Sequence, residues 1–385
     1  MIILFNVSGQ VGMKGCNMQK KQVAVLDIGS SELRAYIGER GVNKTFIIKG
    51  TQTFSYEGFS DREFFDVEEL KKKLLSAGNF FKKASRTGVV LYVGVPGDFT
   101  DVQVRLGQIS FPKKKKITEQ DVDSLYDSTF MLNSAKKSII NRSAIVYELD
   151  DSRRLANPVG AVSEILKGKL SFVLCDNYFI DIIKKSLNAC GINQIEFVST
   201  SLAQAMYLVD AEVRDRIAVI ADVGYISTTI SVVHGDGILF QKSFGYGGGY
   251  ITASLSESFN ISFDDAENLK RKSSITRVNL ANQIEILDDA SGKYYNLEEV
   301  KKCICYALDG FCDEVTNCLD GLGFVLPDYV HLMITGGGIS LLRGAKEYIA
   351  SRLGMAVEII SPKVPLLDSP LESSALSLMD LALEQ

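Results

Sequence analysis

Two stretches of this chain repeat one design, an apolar run that ends in Asp-x-Gly. Val23-Ala-Val-Leu-Asp-Ile-Gly-Ser-Ser31 puts Asp27, Gly29, Ser30 and Ser31 at the end of the first run. Ile217-Ala-Val-Ile-Ala-Asp-Val-Gly224 puts Asp222 and Gly224 at the same offsets. Aliphatic runs closed by Gly and Ser predict buried strands that turn sharply. Such a turn aims backbone N–H groups at one point, where they can hold a phosphate. A carboxylate at the strand end can hold Mg²⁺, usually through water. A third apolar run, His331-Leu-Met-Ile-Thr-Gly-Gly-Gly338, empties into Gly336, Gly337 and Gly338. Each string alone is weak evidence. Two related strand-turn starts and a late triple glycine form a far more specific set.

The rest of the composition leaves room for that reading and closes others. A length of 385 residues accommodates two or more domains, each with its own core. With 46% hydrophobic and 23% charged residues, the chain reads as globular. A net charge of −5 gives no global pull toward nucleic acid. Seven cysteines without framework spacing suit a reducing cytoplasm. The Met1–Phe5 run is too short for a signal-peptide core, and no stretch approaches the apolar length that spans a bilayer. Met13 and Met18 precede the first strand, so residues 1–21 are expected to be a ragged extension or an artefact of start-site choice.

Patterning along the chain predicts the remaining elements. Val23–Leu26 and Leu33–Ile37 form a hairpin around the first turn, and 66–84 a helix with Val67, Leu70, Leu74 and Leu75 at helical spacing. Val89–Val95 is a strand closed by Pro96-Gly97, and Phe111-Pro112 with the four lysines after it reads as an exposed loop. A helix over Ile117–Asn133 follows, with Thr118 as N-cap and Asp121 at the third helical position. Ile145–Leu149 and Leu170–Leu174 are strands, and Asn177–Cys190 and Ser201–Val209 are helices. Beyond Ile217 the expectation is helices over Ile251–Phe259, Phe263–Lys272, Leu297–Leu319, Gly344–Leu353 and Ser373–Leu383, with an ill-patterned stretch before Asn296.

The three glycine segments resemble the two phosphate loops and the adenosine loop of the actin-like ATPase superfamily. Within it the chain resembles the bacterial cell-division actin homologue FtsA. Further stretches match in order: Ile117-Thr-Glu-Gln-Asp-Val122, Asn157-Pro-Val-Gly160, Gly247-Gly-Gly-Tyr-Ile-Thr252, Ala266-Glu-Asn-Leu-Lys270, Gly337-Gly-Ile-Ser-Leu-Leu-Arg-Gly344 and Asp368-Ser-Pro370. The likeness runs from about Gln22 to the last residues. It implies an α/β, actin-like (ribonuclease H-like) two-domain fold with a nucleotide cleft and a small inserted α+β subdomain. The implied boundaries are 22–87 and 176–216 for subdomain IA and its connection, with 88–175 as the insert IC. Subdomain IIA would take 217–250 and 301–366, IIB 251–300, and 367–385 would return to IA as a helix.

The resemblance also implies ligands, ATP and Mg²⁺. Taken alone, Asp27 reads equally well as a turn cap; within the set, Asp27 and Asp222 are the expected Mg²⁺ carboxylates. Gly29, Ser30 and Ser31 would donate to the β and γ phosphates, with Gly224 in the second loop. Gly247, Gly248 and Gly249 fit a backbone approach to phosphate, or else a flexible turn. Glu267 and Lys270 share a helical face. They are either a surface ion pair of little energetic worth or, by resemblance, ribose and adenine contacts. Gly336, Gly337 and Gly338 would let backbone pass under the base, where a Cβ would fill the purine's space.

Departures from the family pattern bear on turnover. Its second phosphate loop usually runs Asp-x-Gly-Gly-Gly-Thr-Thr-Asp, whereas here Tyr225 and Ile226 replace glycines and Thr229 replaces the acid. Val198-Ser-Thr-Ser-Leu-Ala203 offers no carboxylate to orient a water, so no catalytic residue is assigned and weak or absent ATPase activity is expected. Lys113–Lys116 reads as a solvated loop rather than a lipid contact, and Cys303, Cys305, Cys312 and Cys318 as core rather than metal ligands. His234 and His331 lie in different motifs, and no Ser/His/Asp arrangement is readable.

By resemblance, the protein would be a filament-forming scaffold that self-associates and links the tubulin-like division protein FtsZ to membrane division proteins. It would be cytoplasmic and recruited to the inner face of the membrane at the division site through partners. The closing Leu381-Ala-Leu-Glu-Gln385 carries no basic residue, so direct membrane insertion is not expected. The alternative is a scaffold like PilM of type IV pilus machines, holding a cytoplasmic peptide of a membrane partner. A sugar-kinase-like enzyme is the weakest of the three readings.

Overall fold

The computed structural model describes residues 22–41, 46–85, 88–276, 285–288 and 292–384. The expected extension over 1–21 and part of the ill-patterned stretch before Asn296 lie outside them.

Two five-stranded sheets share one topology. In the first, Phe46–Ser55, Glu32–Arg40 and Gln22–Ile28 run antiparallel in that order, followed by Leu91–Val95 and Ile195–Ser199 in parallel. The second repeats this with Gly237–Phe244, Thr228–His234 and Ala218–Val223, then Leu332–Thr335 and Val357–Ile359. The repeated apolar runs are therefore the same central strand of two equivalent sheets. Both are buried along nearly their whole length, as expected of a strand with parallel and antiparallel neighbours and both faces covered.

Helices cover those faces. On one side of the first sheet, Val67–Ser85 and Asn177–Asn188 contribute Leu70, Leu74, Phe179 and Ile183 to a core with Leu26 and Val93. On the other side, the last helix, Ser373–Glu384, packs Ala375, Leu378 and Met379 against Val23, Val25 and Tyr92. The second sheet is covered by Leu297–Asp320, whose Val300, Ile304, Leu308, Phe311 and Val315 line one core. Cys312 and Cys318 are buried in that core, and among the described residues no group of three or more His, Cys, Asp and Glu side chains converges as a metal site.

A separate sheet fills the span between Leu91–Val95 and Asn177–Asn188. Thr100–Lys116, Val162–Asp176, Lys137–Leu149 and Arg154–Leu155 lie in that order, with the helix Glu119–Thr129 against them. Thr118 and Asp121 form the expected reciprocal cap, each side chain bonded to the other's backbone N–H. This helix is shorter than the pattern over Ile117–Asn133 suggested, ending with a bond from the Phe130 N–H to the Tyr126 carbonyl.

The exposed loop expected at Phe111–Lys116 is a correction: these residues end the strand Thr100–Lys116. Pairing with Val162–Asp176 slips between Ser110↔Ile165 and Lys115↔Ser163. Pro112 sits in that irregularity on an edge strand, where a missing N–H does little harm. Ile109 and Phe111 pack on the core below, while Lys115 reaches Asp121 at 2.8 Å and lies over the Phe111 ring. The lysines decorate an edge that would otherwise invite strand pairing.

Candidate nucleotide site

The equivalent central strands end at one cavity of about 190 Å³ between the two halves. Its walls include Asp27, Gly29, Ser30 and Ser31 from the first turn and Asp222 and Gly224 from the second. Glu267, Lys270, Gly336, Gly337 and Gly338 complete the set that spacing had singled out. Gly247, Gly248 and Gly249 do not line it.

Asp27 is 5% exposed, and burial pushes its carboxyl up to about 7 against the pull of Arg34, with Asp222 raising it further. Arg34 stands directly opposite Asp27 in the hairpin register and bonds the Leu371 carbonyl. Asp222 is likewise raised by burial, and its Oδ2 accepts from the Gln204 amide at 2.8 Å. The same amide donates to Ser374 Oγ, tying Asp222 to the last helix. Two buried carboxylates, both raised by burial and both drawn down by the one guanidinium of Arg34, form an oxygen donor set suited to a hard divalent cation. By that criterion the residues fit Mg²⁺. Asp27 and Asp222 would hold it, and its charge would neutralise both acids and the phosphates beside them.

The two turns also touch. Ile226 N–H donates to Ser30 Oγ at 3.1 Å, and the Gly29 carbonyl accepts from the Tyr56 phenol at 2.7 Å. Tyr225 lines the cavity, and its ring meets Lys270 at 5.4 Å and Phe263 edge-on. Thr229 Oγ1 shares a hydrogen bond with Ser243, and a Cβ on Gly97 would strike Thr229 at 2.4 Å.

Three expectations change in physical meaning. The glycines of 247–249 knit loops together: Gly248 N–H donates to the Gly224 carbonyl and Gly249 N–H to that of Tyr225. A Cβ on Gly338 would lie 2.1 Å from the Gly224 carbonyl, and one on Gly337 2.1 Å from Leu371. In this structure Gly336 and Gly338 are required by backbone packed against them, before any purine enters, while Gly337 faces only the movable end of the Leu371 side chain. Lys270 is no surface residue: its ammonium is buried and donates to Glu267 at 2.7 Å, Thr252 at 2.9 Å and the Gly248 carbonyl at 3.0 Å. Burial lowers its pKa against the Glu267 partner. Glu267, which also accepts from Arg271, is held below the usual range because those hydrogen bonds outweigh burial.

Sequence reading missed Arg34, Gln204 and Asp98. Arg34 follows from hairpin register once Asp27 is placed. Gln204 stands out as a lone amide in the apolar Leu202–Met206 run. Asp98 follows a Pro-Gly turn at the C-terminal end of a parallel strand, where open α/β sheets place ligands. It lines the cavity, accepts from Ser227 Oγ at 3.1 Å, and is raised to about 6 by burial.

A model of the family described as cell division protein FtsA matches residues 219–377. The cell division protein FtsA of Streptococcus pneumoniae serotype 2 is 21% identical over 365 residues, 93% of this chain and 79% of that protein. Among solved structures, one of the PilM–PilN type IV pilus biogenesis complex aligns with a TM-score of 0.59 at 17% identity, over 94% of this chain and 99% of that one. MreB5 of Spiroplasma citri bound to ADP aligns with a TM-score of 0.52 at 14% identity, over 94% of this chain and 95% of that one. The chain has the actin-like ATPase fold, and over nine tenths of its length it is similar to the bacterial cell-division protein FtsA.

Proposed function

We propose that this chain is an FtsA-type scaffold that binds ATP with Mg²⁺ and hydrolyses it slowly or not at all. The observation that carries this is the convergence of Asp27 and Asp222, from equivalent strands of two equivalent sheets, on one cavity with the third glycine loop. In this reading Ser30, Ser31 and the backbone of Gly29 and Gly224 bind phosphate, and Glu267 and Lys270 flank the nucleoside. Gly336–Gly338 form the floor, and Gly247–Gly249 hold the loops in register. The insert IC takes 88–175, and the second domain opens at Ile217 with 251–300 as its IIB. Tyr225 and Ile226 stand where the family has glycines, which disfavours close approach of backbone to the γ phosphate and hence turnover. Assembly into filaments that join FtsZ to membrane division proteins, at the inner face of the membrane, completes the proposal.

The test is thermal unfolding of the full chain with and without millimolar ATP and Mg²⁺. A ligand selective for the folded state raises the melting temperature by mass action. Asp27→Ala should abolish the rise, and no rise in the parent chain would overturn the reading. Capture of FtsZ by the purified chain supports the division role. Capture of a pilus membrane-protein peptide in its place would move the chain to the PilM-like alternative.

A further inference from the structure

Asp98 is a carboxylate without a role in the nucleotide reading. It lies in the Gly97–Phe99 turn after Leu91–Val95, 5% exposed, and forms part of the cavity wall beside Ser227 and Thr229. Its Oδ2 is held by Ser227 Oγ, a side chain of the second phosphate turn, so the acid sits beside the loop where Tyr225 and Ile226 replace glycines. That is the end of the cavity where the terminal phosphate would lie.

Asp98 also forms the wall of a second cavity. This one is polar, about 340 Å³, and lined by Asp61, Arg62, Thr100, Asp101, Gln241 and Lys242 as well as Gly97 and Asp98. The Gln241 Oε1 buried there has no hydrogen-bond partner. A buried base needs a route by which its proton leaves, and Asp98 stands between the nucleotide cavity and this polar one. The helix-start segment Val198–Ala203 has no carboxylate and contributes only Thr200 and Ser201 to the cavity wall.

We infer that Asp98 is the general base for whatever hydrolysis this site performs, acting on the terminal phosphate of a bound nucleoside triphosphate and discharging its proton into the second cavity. The inference rests on the nucleotide reading above. In the step, a water oxygen bonds to the terminal phosphorus as the bond from that phosphorus to the bridging oxygen breaks. The nucleoside diphosphate leaves with the bridging oxygen's electron pair. The water's proton passes to a carboxylate oxygen of Asp98 and then to solvent. Ser227 is a positioning residue, because its hydroxyl fixes the carboxylate.

The test uses the full chain with Mg²⁺ and either ATP or ADP, and has two readouts. One is single-turnover phosphate release; the other is the ratio of the Kd values for ATP and ADP. Asp98→Asn should slow release about 100-fold, the loss of a general base. It should also strengthen ATP relative to ADP by about fivefold or more, because a negative charge facing the terminal phosphate is gone. Asp98→Glu should recover part of the release. Unchanged release in Asp98→Asn, or an unchanged ATP-to-ADP ratio, overturns the assignment and leaves nucleotide binding intact. So does a parent chain that binds both nucleotides and releases no phosphate. A parent chain that binds neither overturns the nucleotide reading itself. If Asp98→Asn does not fold, Ser227→Ala decides: release and ratio both as in the parent overturn the inference.

Discussion

The two central hairpins have the same backbone and different chemistry. Asp27 pairs with Arg34 in register, and Asp222, at the equivalent place, pairs with Thr229. The first acid thus faces a cation from its own hairpin, while the second is held first by the neutral amide of Gln204 and only secondarily by that same Arg34. The turns differ in the same sense. Gly29-Ser30-Ser31 is small and carries hydroxyls; Gly224-Tyr225-Ile226 is bulky and packed beneath two other glycine loops. Repetition of a strand and turn fixes where a carboxylate sits but not what surrounds it. The first half keeps groups that suit a polyanion, and the second has exchanged several for packing.

The largest expected effect tests that contrast directly. A Cβ on Gly338 would lie 2.1 Å from the Gly224 carbonyl and one on Gly248 2.3 Å from the Gly338 carbonyl, whereas one on Gly29 meets the Glu32 carbonyl at 3.1 Å. Backbone cannot yield as a flexible side chain does. Gly338→Ala and Gly248→Ala should each lower unfolding free energy by more than about 3 kcal/mol in urea titrations, at the high end for overpacking. Gly29→Ala should cost under about 1 kcal/mol. Equal losses at the three positions would dissolve the distinction between a packed second turn and an open first one.

Next comes the buried ion pair of the second half. Lys270→Ala removes three hydrogen bonds and leaves Glu267 and the Gly248 carbonyl in a desolvated setting. Breaking such a pair from one side costs about 3 kcal/mol or more. Lys71, paired with Glu68 at 2.6 Å on an exposed helix face, should lose about 0.5 kcal/mol or less on the same substitution. A loss at Lys270 no larger than at Lys71 would return the pair to the surface status its i,i+3 spacing suggests.

Much of this architecture was legible from spacing. Val23–Gly29 and Ile217–Gly224 announce their equivalence because a buried central strand admits few residue types and its turn demands glycine. The helix Leu297–Asp320 was readable because Val300, Ile304, Leu308, Phe311 and Val315 recur at helical period over a long span. Phe111–Lys116 was not, since a proline and four lysines are turn signals locally, and only an edge position with an irregular register lets them extend a strand. Asp98 and Gln204 were illegible for another reason. Their importance lies in partners 129 and 18 residues away, Ser227 and Asp222, which no local pattern encodes.

Asp98 also offers a comparison with pH as the variable. Burial raises it from 3.8 to about 6. Between those values the native chain binds more protons at this site than the unfolded chain does, so stability falls as pH rises through the window and then levels off. The contribution should amount to about 2–3 kcal/mol. Asp98→Asn keeps an oxygen acceptor for Ser227 and removes the titration. The variant should match the parent near pH 4 and exceed it at pH 7.5, measured by denaturant midpoints at both. A variant no more stable than the parent at pH 7.5 would show that the carboxylate is better solvated than its burial implies.

The smallest effect concerns the contact between the two turns. Ser30 Oγ accepts the Ile226 N–H at 3.1 Å, which leaves the serine's own O–H free to donate. Ser30→Ala removes the acceptor and strands a partly buried backbone N–H, a loss of about 1 kcal/mol in the ligand-free chain. The first-turn hydroxyl is also a proposed phosphate donor, so the same substitution should reduce the melting-temperature rise produced by ATP and Mg²⁺. Ser31→Ala separates the two roles, because no bond joins Ser31's side chain to the second turn among the described hydrogen bonds. It should leave the free chain's stability within about 0.5 kcal/mol and still reduce the ATP-induced rise. If Ser30→Ala weakened the free chain but left the ATP-induced rise intact, the hydroxyl would serve only to join the halves. The first turn would then be given over to packing just as the second is, and the asymmetry between the two hairpins would lose its chemical meaning.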